Sequence, residues 1–97
     1  NSMILHIVAG PKPPPPTVPF VHPSLESEGF IHCCFDHQAL KVTERFFPKT
    51  GEIWAFEIKL ESLTSQVRVE PSSLGESFPH IYGPINPEAF GQRIRIR

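Results

Sequence analysis

The sequence predicts an α+β fold: a small, bent and split sheet of mostly antiparallel strands, with one main helix. Three observations carry this prediction. Six or so short runs rich in Ile, Val and Phe have the length and alternation of strands. One run, residues 36–47, spaces its apolar residues as a helix does. Gly10-Pro11, Pro48, Gly51 and Gly83-Pro84 punctuate the chain and keep each element short. At 97 residues, the chain reads as one domain over residues 3–97. Asn1 and Ser2, ahead of Met3, read as an expression scar.

Met3 to Ala9 (M-I-L-H-I-V-A) is the first predicted strand. It is nearly continuous in apolar residues, as a strand buried on both faces would be. His6 interrupts it, on the face of Ile4 and Val8. Residues 11–23 form a proline-rich crossover loop. Pro13 to Pro16 are consecutive, and such a run favours an extended polyproline II path. The plain reading is a surface crossover; the sharper one is a docking segment for an aromatic-grooved protein partner through Pro13–Pro16. Ser24 is a candidate N-cap for one helical turn, Leu25 to Glu28, which Gly29 stops.

Phe30 to Phe35 is the second predicted strand, with Phe30, His32 and Cys34 on one face and Ile31, Cys33 and Phe35 on the other. Asp36 is expected to cap a helix running to Phe47. Ala39, Leu40, Val42, Phe46 and Phe47 give its apolar side, and Lys41, Glu44 and Arg45 its solvent side. Glu52 to Leu60 alternates like a central strand. Gln66 to Glu70 is a further strand, and Pro71 to Ser77 a polar loop suited to a lid. Phe78 to Gly83 places His80 and Tyr82 on one face. Asn86 to Ala89 starts a helical turn with proline at its first position. Gln92 to Arg97 reads as an edge strand with Ile94 and Ile96 inward and Arg93, Arg95 and Arg97 outward as protection. A phosphate-binding stripe is the alternative reading of those arginines.

The bulk composition narrows the function classes. A formal net charge of −1 gives no global field for nucleic acid or an anionic membrane. No run approaches the ~18 apolar residues of a membrane span, and no secretory signal is read. Cys33 and Cys34 are adjacent, so they do not make a staple. Two free thiols point to a reducing, cytoplasmic location.

The chemistry-bearing residues fall in two stretches, Ser24–Cys34 (S-L-E-S-E-G-F-I-H-C-C) and Phe78–Asn86 (F-P-H-I-Y-G-P-I-N). Both are expected to meet at a cleft. Histidines on separate strands, His6, His32 and His80, each sit among apolar or aromatic neighbours. Buried polar groups need partners, and clustering them in one cleft meets that need. The bland alternative makes all three buried, satisfied core residues with no open pocket. His32-Cys33-Cys34-x-x-His37 holds zinc-type ligands, but strand alternation turns Cys33 away, so no metal is expected. Attack by Cys34, aided by His32 or His80, lacks any visible feature that lowers a thiol pKa. Glycine-rich phosphate loops and hydrolase fingerprints do not occur.

I-L-H-I near the start, S-L-x-S-E-G-F-I-H-C, a helix ending in R-F-F, and F-P-H-I-Y-G-P-I together resemble the DUF-952 family, a domain of unknown function. The resemblance spans roughly residues 3–96. It implies a fold similar to that of ADP-ribosyltransferases, in which two short sheets pack around a cleft for NAD. Carried over by position, it implies that His6 holds a ribose hydroxyl and that His32, with Phe30, flanks the nicotinamide, while His80 and Tyr82 close the cleft. The expected function is binding of NAD or a related nucleotide, with transfer of ADP-ribose or action on a 2′-phosphate as the enzymatic form. The alternative is a non-catalytic binding or regulatory module. The expected cofactor site is His6, Ser24, Phe30, His32 and Tyr82; the expected catalytic residues are His32, His80 and Tyr82. Two departures stand out. Prolines replace the usual helix with a tryptophan after the first strand. The late strand also lacks the usual glutamate, leaving Glu28, Glu70 and Glu88 as candidate carboxylates.

Overall fold

The computed structural model describes residues 2–97; Asn1, half of the expected scar, lies outside them. Ser2 takes part in the fold, its carbonyl accepting from the Leu60 amide at 3.1 Å. Six strands form two three-stranded antiparallel sheets. The first has the order β1-β3-β6, with β1 Met3–Ala9, β3 Ile53–Lys59 and β6 Phe90–Arg95. The second has the order β2-β5-β4, with β2 Ile31–His32, β4 Gln66–Pro71 and β5 Ser77–Tyr82. Two helices complete the frame, α1 Pro23–Ser27 and α2 Ala39–Phe46.

The near-continuous apolar run of β1 is explained by two cores. Ile4 joins Ile31, Ile58, Ile81 and Ile85 between the two sheets. Leu5 and Ile7 join Cys34, Ala39, Ile53 and Ala55 beneath α2. Each fully buried isoleucine stabilises the fold by about 1.5–3 kcal/mol through lost apolar hydration. β3 is central, pairing along all of β1 from Met3↔Lys59 to Ala9↔Ile53. Its pairing with β6 shifts register between Phe56 and Ile58. There the Gln92 amide donates to the Glu57 carboxylate at 3.0 Å instead of to backbone.

Several expected boundaries are corrected. The second strand does not run on from Phe30 to Phe35. Only Ile31 and His32 pair with β5; after Cys33 the chain crosses to the other sheet, where Cys34 and Leu5 exchange two 2.8 Å backbone bonds. The helix does not start at an Asp36 cap. Residues 36–38 form a 3-10 turn capped from Phe35, whose amide donates to the Gln38 side chain at 2.9 Å. That tighter turn rotates the helix phase, so Thr43 is buried while Leu40 and Phe46 are exposed. The final strand is Phe90–Arg95, earlier than expected, with Ile94 and Ile96 against the core beneath α2. The loop expected over Pro71–Ser77 is shorter, since Pro71 ends β4 and Ser77 begins β5. It is the tight turn of the β4–β5 hairpin, held by Ser72, whose hydroxyl donates to the Glu76 carbonyl at 2.7 Å.

The proline-rich loop is pinned across the first sheet. Phe20 and Ile85 exchange backbone bonds of 2.8 and 2.9 Å, and Arg93 donates to the Pro13 carbonyl at 2.9 Å. Phe20 packs edge-on to Phe90 and tilted against Phe56. The loop therefore forms a wall, and it delivers His22 beside β1.

Candidate functional site

A cleft of about 620 Å³ opens between β1, the second sheet, α2 and the β4–β5 turn. His6, His32 and His80 all line it, joined by His22 from the end of the proline-rich loop. The bland alternative of wholly buried histidines without an open pocket does not hold: His6 is 5% exposed, whereas the His32 side chain is 54% exposed.

His6 is fixed by one bond and lacks another. Its Nδ1 lies 2.8 Å from the His32 carbonyl. A carbonyl only accepts, so Nδ1 carries the proton and Nε2 the lone pair. Nε2 is buried without a hydrogen-bond partner. The ring lies edge-on to Phe20 and His22, centroids 5.5 Å away in both cases. Burial lowers the His6 pKa to about 4, against the opposing pull of the carbonyl bond, with His22 and His32 adding smaller repulsions. The ring is therefore neutral at pH 7.

His32 and His80 face each other across the β2–β5 register. Each is held by a carboxylate. His32 Nε2 donates to Glu28 at 3.0 Å, and His80 Nδ1 donates to Glu70 at 2.6 Å. Tyr82 donates its hydroxyl to the same Glu70 oxygen. The hydrogen bonds from Tyr82 and His80 hold the Glu70 carboxyl below the usual range, and that carboxylate in turn raises the Tyr82 phenol. The His32 bond likewise lowers Glu28. Phe30 stacks on His80 with centroids 3.9 Å apart and 16° between planes. Arg68 lies over Tyr82, 4.7 Å from the ring centre.

The expected residues thus divide. His6, His32 and His80 line the cleft. Phe30, Tyr82 and Glu70 form a ledge beside His80 on the face of the second sheet, outside the cleft lining. Ser24 is buried inside α1 and is not its N-cap. The cap is His22, whose Nδ1 accepts from the Ser24 amide at 3.1 Å and lies 2.9 Å from the Ser24 hydroxyl. Glu88 is remote, held by Asn86 at 3.2 Å. Glu28 and Glu70 sit behind their histidines.

Neither thiol is poised for attack. Burial pushes Cys33 far up, and burial with the nearby Asp36 charge pushes Cys34 to about 12. Among the described residues, no group of three or more His, Cys, Asp or Glu is placed to hold a metal. No helix among the described residues is long and apolar enough to cross a membrane. His22 escaped sequence reasoning because it lies in the proline loop; the signal was its place before Pro23, the first residue of a helix.

These features define a small two-sheet α+β protein with a histidine-lined cleft. The chain belongs to the family described as protein of unknown function (DUF952), whose model matches residues 17–92. It is similar in fold to the crystal structure of protein CC0527 from Caulobacter crescentus, with a TM-score of 0.71 and 19% identity over 97% of this chain and 85% of that one. A double-mutant form of CC0527 gives the same TM-score at 18% identity and the same coverage. Among curated proteins, none matches the chain.

Proposed function

We propose that the cleft binds NAD or a related nucleotide, with the histidines taking hydrogen bonds from the ligand. The observation that carries this reading is His6. Its Nε2 is a buried acceptor with no partner, in the wall of a cleft of ligand size. An unmet buried acceptor is costly, and a ligand hydroxyl would relieve that cost. The sequence resemblance to DUF-952, taken to imply an ADP-ribosyltransferase-like fold, points to the same class of ligand.

His80 is the group best suited to chemistry. With Nδ1–H given to Glu70, its neutral ring offers Nε2 as a base, and the carboxylate stabilises the protonated ring that results. Glu28, Glu70 and Glu88 all lie outside the cleft lining, so a carboxylate supporting an oxocarbenium-like centre is not among the groups that favour transfer. That favours ligand binding over ADP-ribosyl transfer.

Thermal unfolding with millimolar NAD, ADP-ribose and 2′-phosphorylated nucleotides tests the proposal. Ligand at about 100 times its Kd adds about 2.7 kcal/mol, a rise of several degrees for a domain of this size. A rise that is lost in His6→Ala supports the reading. A folded protein indifferent to every nucleotide overturns it.

A further inference from the structure

The hydrogen bonds around the four cleft histidines assign a tautomer to each ring when neutral, and three of the four leave a lone pair unused. His6 gives Nδ1–H to a carbonyl, leaving Nε2 as the lone-pair nitrogen. His32 gives Nε2–H to Glu28, leaving Nδ1. His80 gives Nδ1–H to Glu70, leaving Nε2. His22 is the opposite case: Nδ1 accepts from the Ser24 amide, so Nε2 carries the proton. The four cleft-lining histidines therefore carry three lone-pair nitrogens, that of His6 buried, and one N–H donor. No lysine or arginine is among the described residues that line it. Nearby cations are engaged elsewhere: Arg68 lies over Tyr82, Lys41 pairs with Glu76 at 2.9 Å, and Arg93 bonds the Pro13 carbonyl.

From this arrangement we infer that the cleft, while its histidines are neutral, selects the uncharged, hydrogen-bond-donating part of its ligand and excludes phosphate from contact. The inference rests on the nucleotide reading above. A phosphate dianion has no proton to give three lone pairs. It would also lose hydration against a largely apolar wall without a fixed cation in return. A nucleoside offers hydroxyl and amino donors that match the acceptors. The phosphates of a larger nucleotide extend into solvent.

Acid reverses the preference. When His32 or His80 takes a second proton, its acceptor becomes a donor and the ring a cation. The charged and titratable groups facing this pair are Glu28 on His32, Glu70 and Tyr82 beside His80, and Arg68 on the neighbouring strand. His6 resists protonation through burial. Its acceptor persists well below the ordinary histidine value.

The test is titration calorimetry of the full chain with two matched pairs: adenosine and its 5′-monophosphate, and nicotinamide riboside and its 5′-monophosphate. Each pair is measured at about pH 8 and about pH 5.5, either side of the ordinary histidine value of about 6.5. The expected result is a nucleoside bound at least as tightly as its phosphate at the higher pH, with the phosphate gaining relative affinity on acidification. His32→Ala, at a largely exposed side chain, should reduce that pH dependence in a protein that remains folded. A phosphate preferred at about pH 8 overturns the inference and leaves the nucleotide reading standing. Failure of all four compounds at both pH values overturns both.

Discussion

His32 and His80 occupy paired positions on β2 and β5, with ring centroids 5.5 Å apart, and each is tethered by a carboxylate from a different element. Glu28 follows α1, and Glu70 lies on β4 across the sheet. Two adjacent strands thereby present two oriented imidazoles to one cleft. The first sheet contributes His6, whose Nδ1 bonds the carbonyl of His32 itself. That bond ties the two sheets together at the site.

Glu70→Gln tests the tethering of His80 and Tyr82. The carboxylate raises the Tyr82 phenol by hydrogen bonding, so removing its charge should lower that pKa toward its ordinary value of about 10. Tyr82 is the sole tyrosine of the chain, which makes spectrophotometric titration unambiguous. An unchanged phenol would contradict the shared Glu70 contact.

His6 predicts a pH dependence of stability. Its folded pKa of about 4 lies below the ordinary 6.5. Above 6.5 the ring is neutral in folded and unfolded chains, and its stabilising part is intact. As pH falls from 6.5 toward 4, the unfolded chain takes up the proton first, and about 3 kcal/mol is lost. Denaturation midpoints measured across this window should fall for the wild type and fall less for His6→Gln.

Much of this fold was legible in the sequence. The apolar run of β1 and the alternation of β3 are direct readings of burial. The crossing of the chain at Cys33 was not, because alternation looks the same whether a strand stays in one sheet or passes to another. The face of α2 was misread at Leu40 and Phe46, since a 3-10 turn at Asp36–Gln38 changes the angular step before the α-helix begins. His6, His32 and His80 were visible as polar interruptions of strands. His22 was hidden in the proline loop. Glu70 was a candidate without a partner, because the β4–β5 register that puts Arg68 opposite His80 and Glu70 opposite Phe78 is set by the hairpin turn.

Gln38 joins the helical segment to the cleft-side hairpin. It is buried, accepts from the Phe35 amide, and donates to the Ser77 carbonyl at 3.0 Å and to Glu76 at 3.2 Å. Gln38→Ala removes the side-chain partner of the half-buried Phe35 amide and of the Ser77 carbonyl, an exposed residue, and should cost about 1 kcal/mol in chemical denaturation. A neutral substitution would show that these bonds are replaced at no cost.

Gly83 closes β5 with a φ of +149°, and a Cβ there would lie 2.6 Å from the Ser65 hydroxyl. That hydroxyl donates to the Pro84 carbonyl at 2.6 Å. Gly83→Ala should therefore destabilise by about 1–3 kcal/mol through backbone strain and the clash. Adding Ser65→Ala should recover only part of the loss, because the strained φ remains. Full recovery would assign the whole effect to the hydroxyl.

The most direct measurement is the ring nitrogen spectrum of ¹⁵N-histidine-labelled protein during titration with NAD. In the free protein His6 Nε2 is an unprotonated nitrogen without a hydrogen-bond partner. The account predicts that NAD moves this resonance in the direction of an accepted hydrogen bond, saturably, with His32 and His80 responding at the same ligand concentration. NAD binding that leaves His6 Nε2 unmoved, or no saturable response at any histidine, would contradict it.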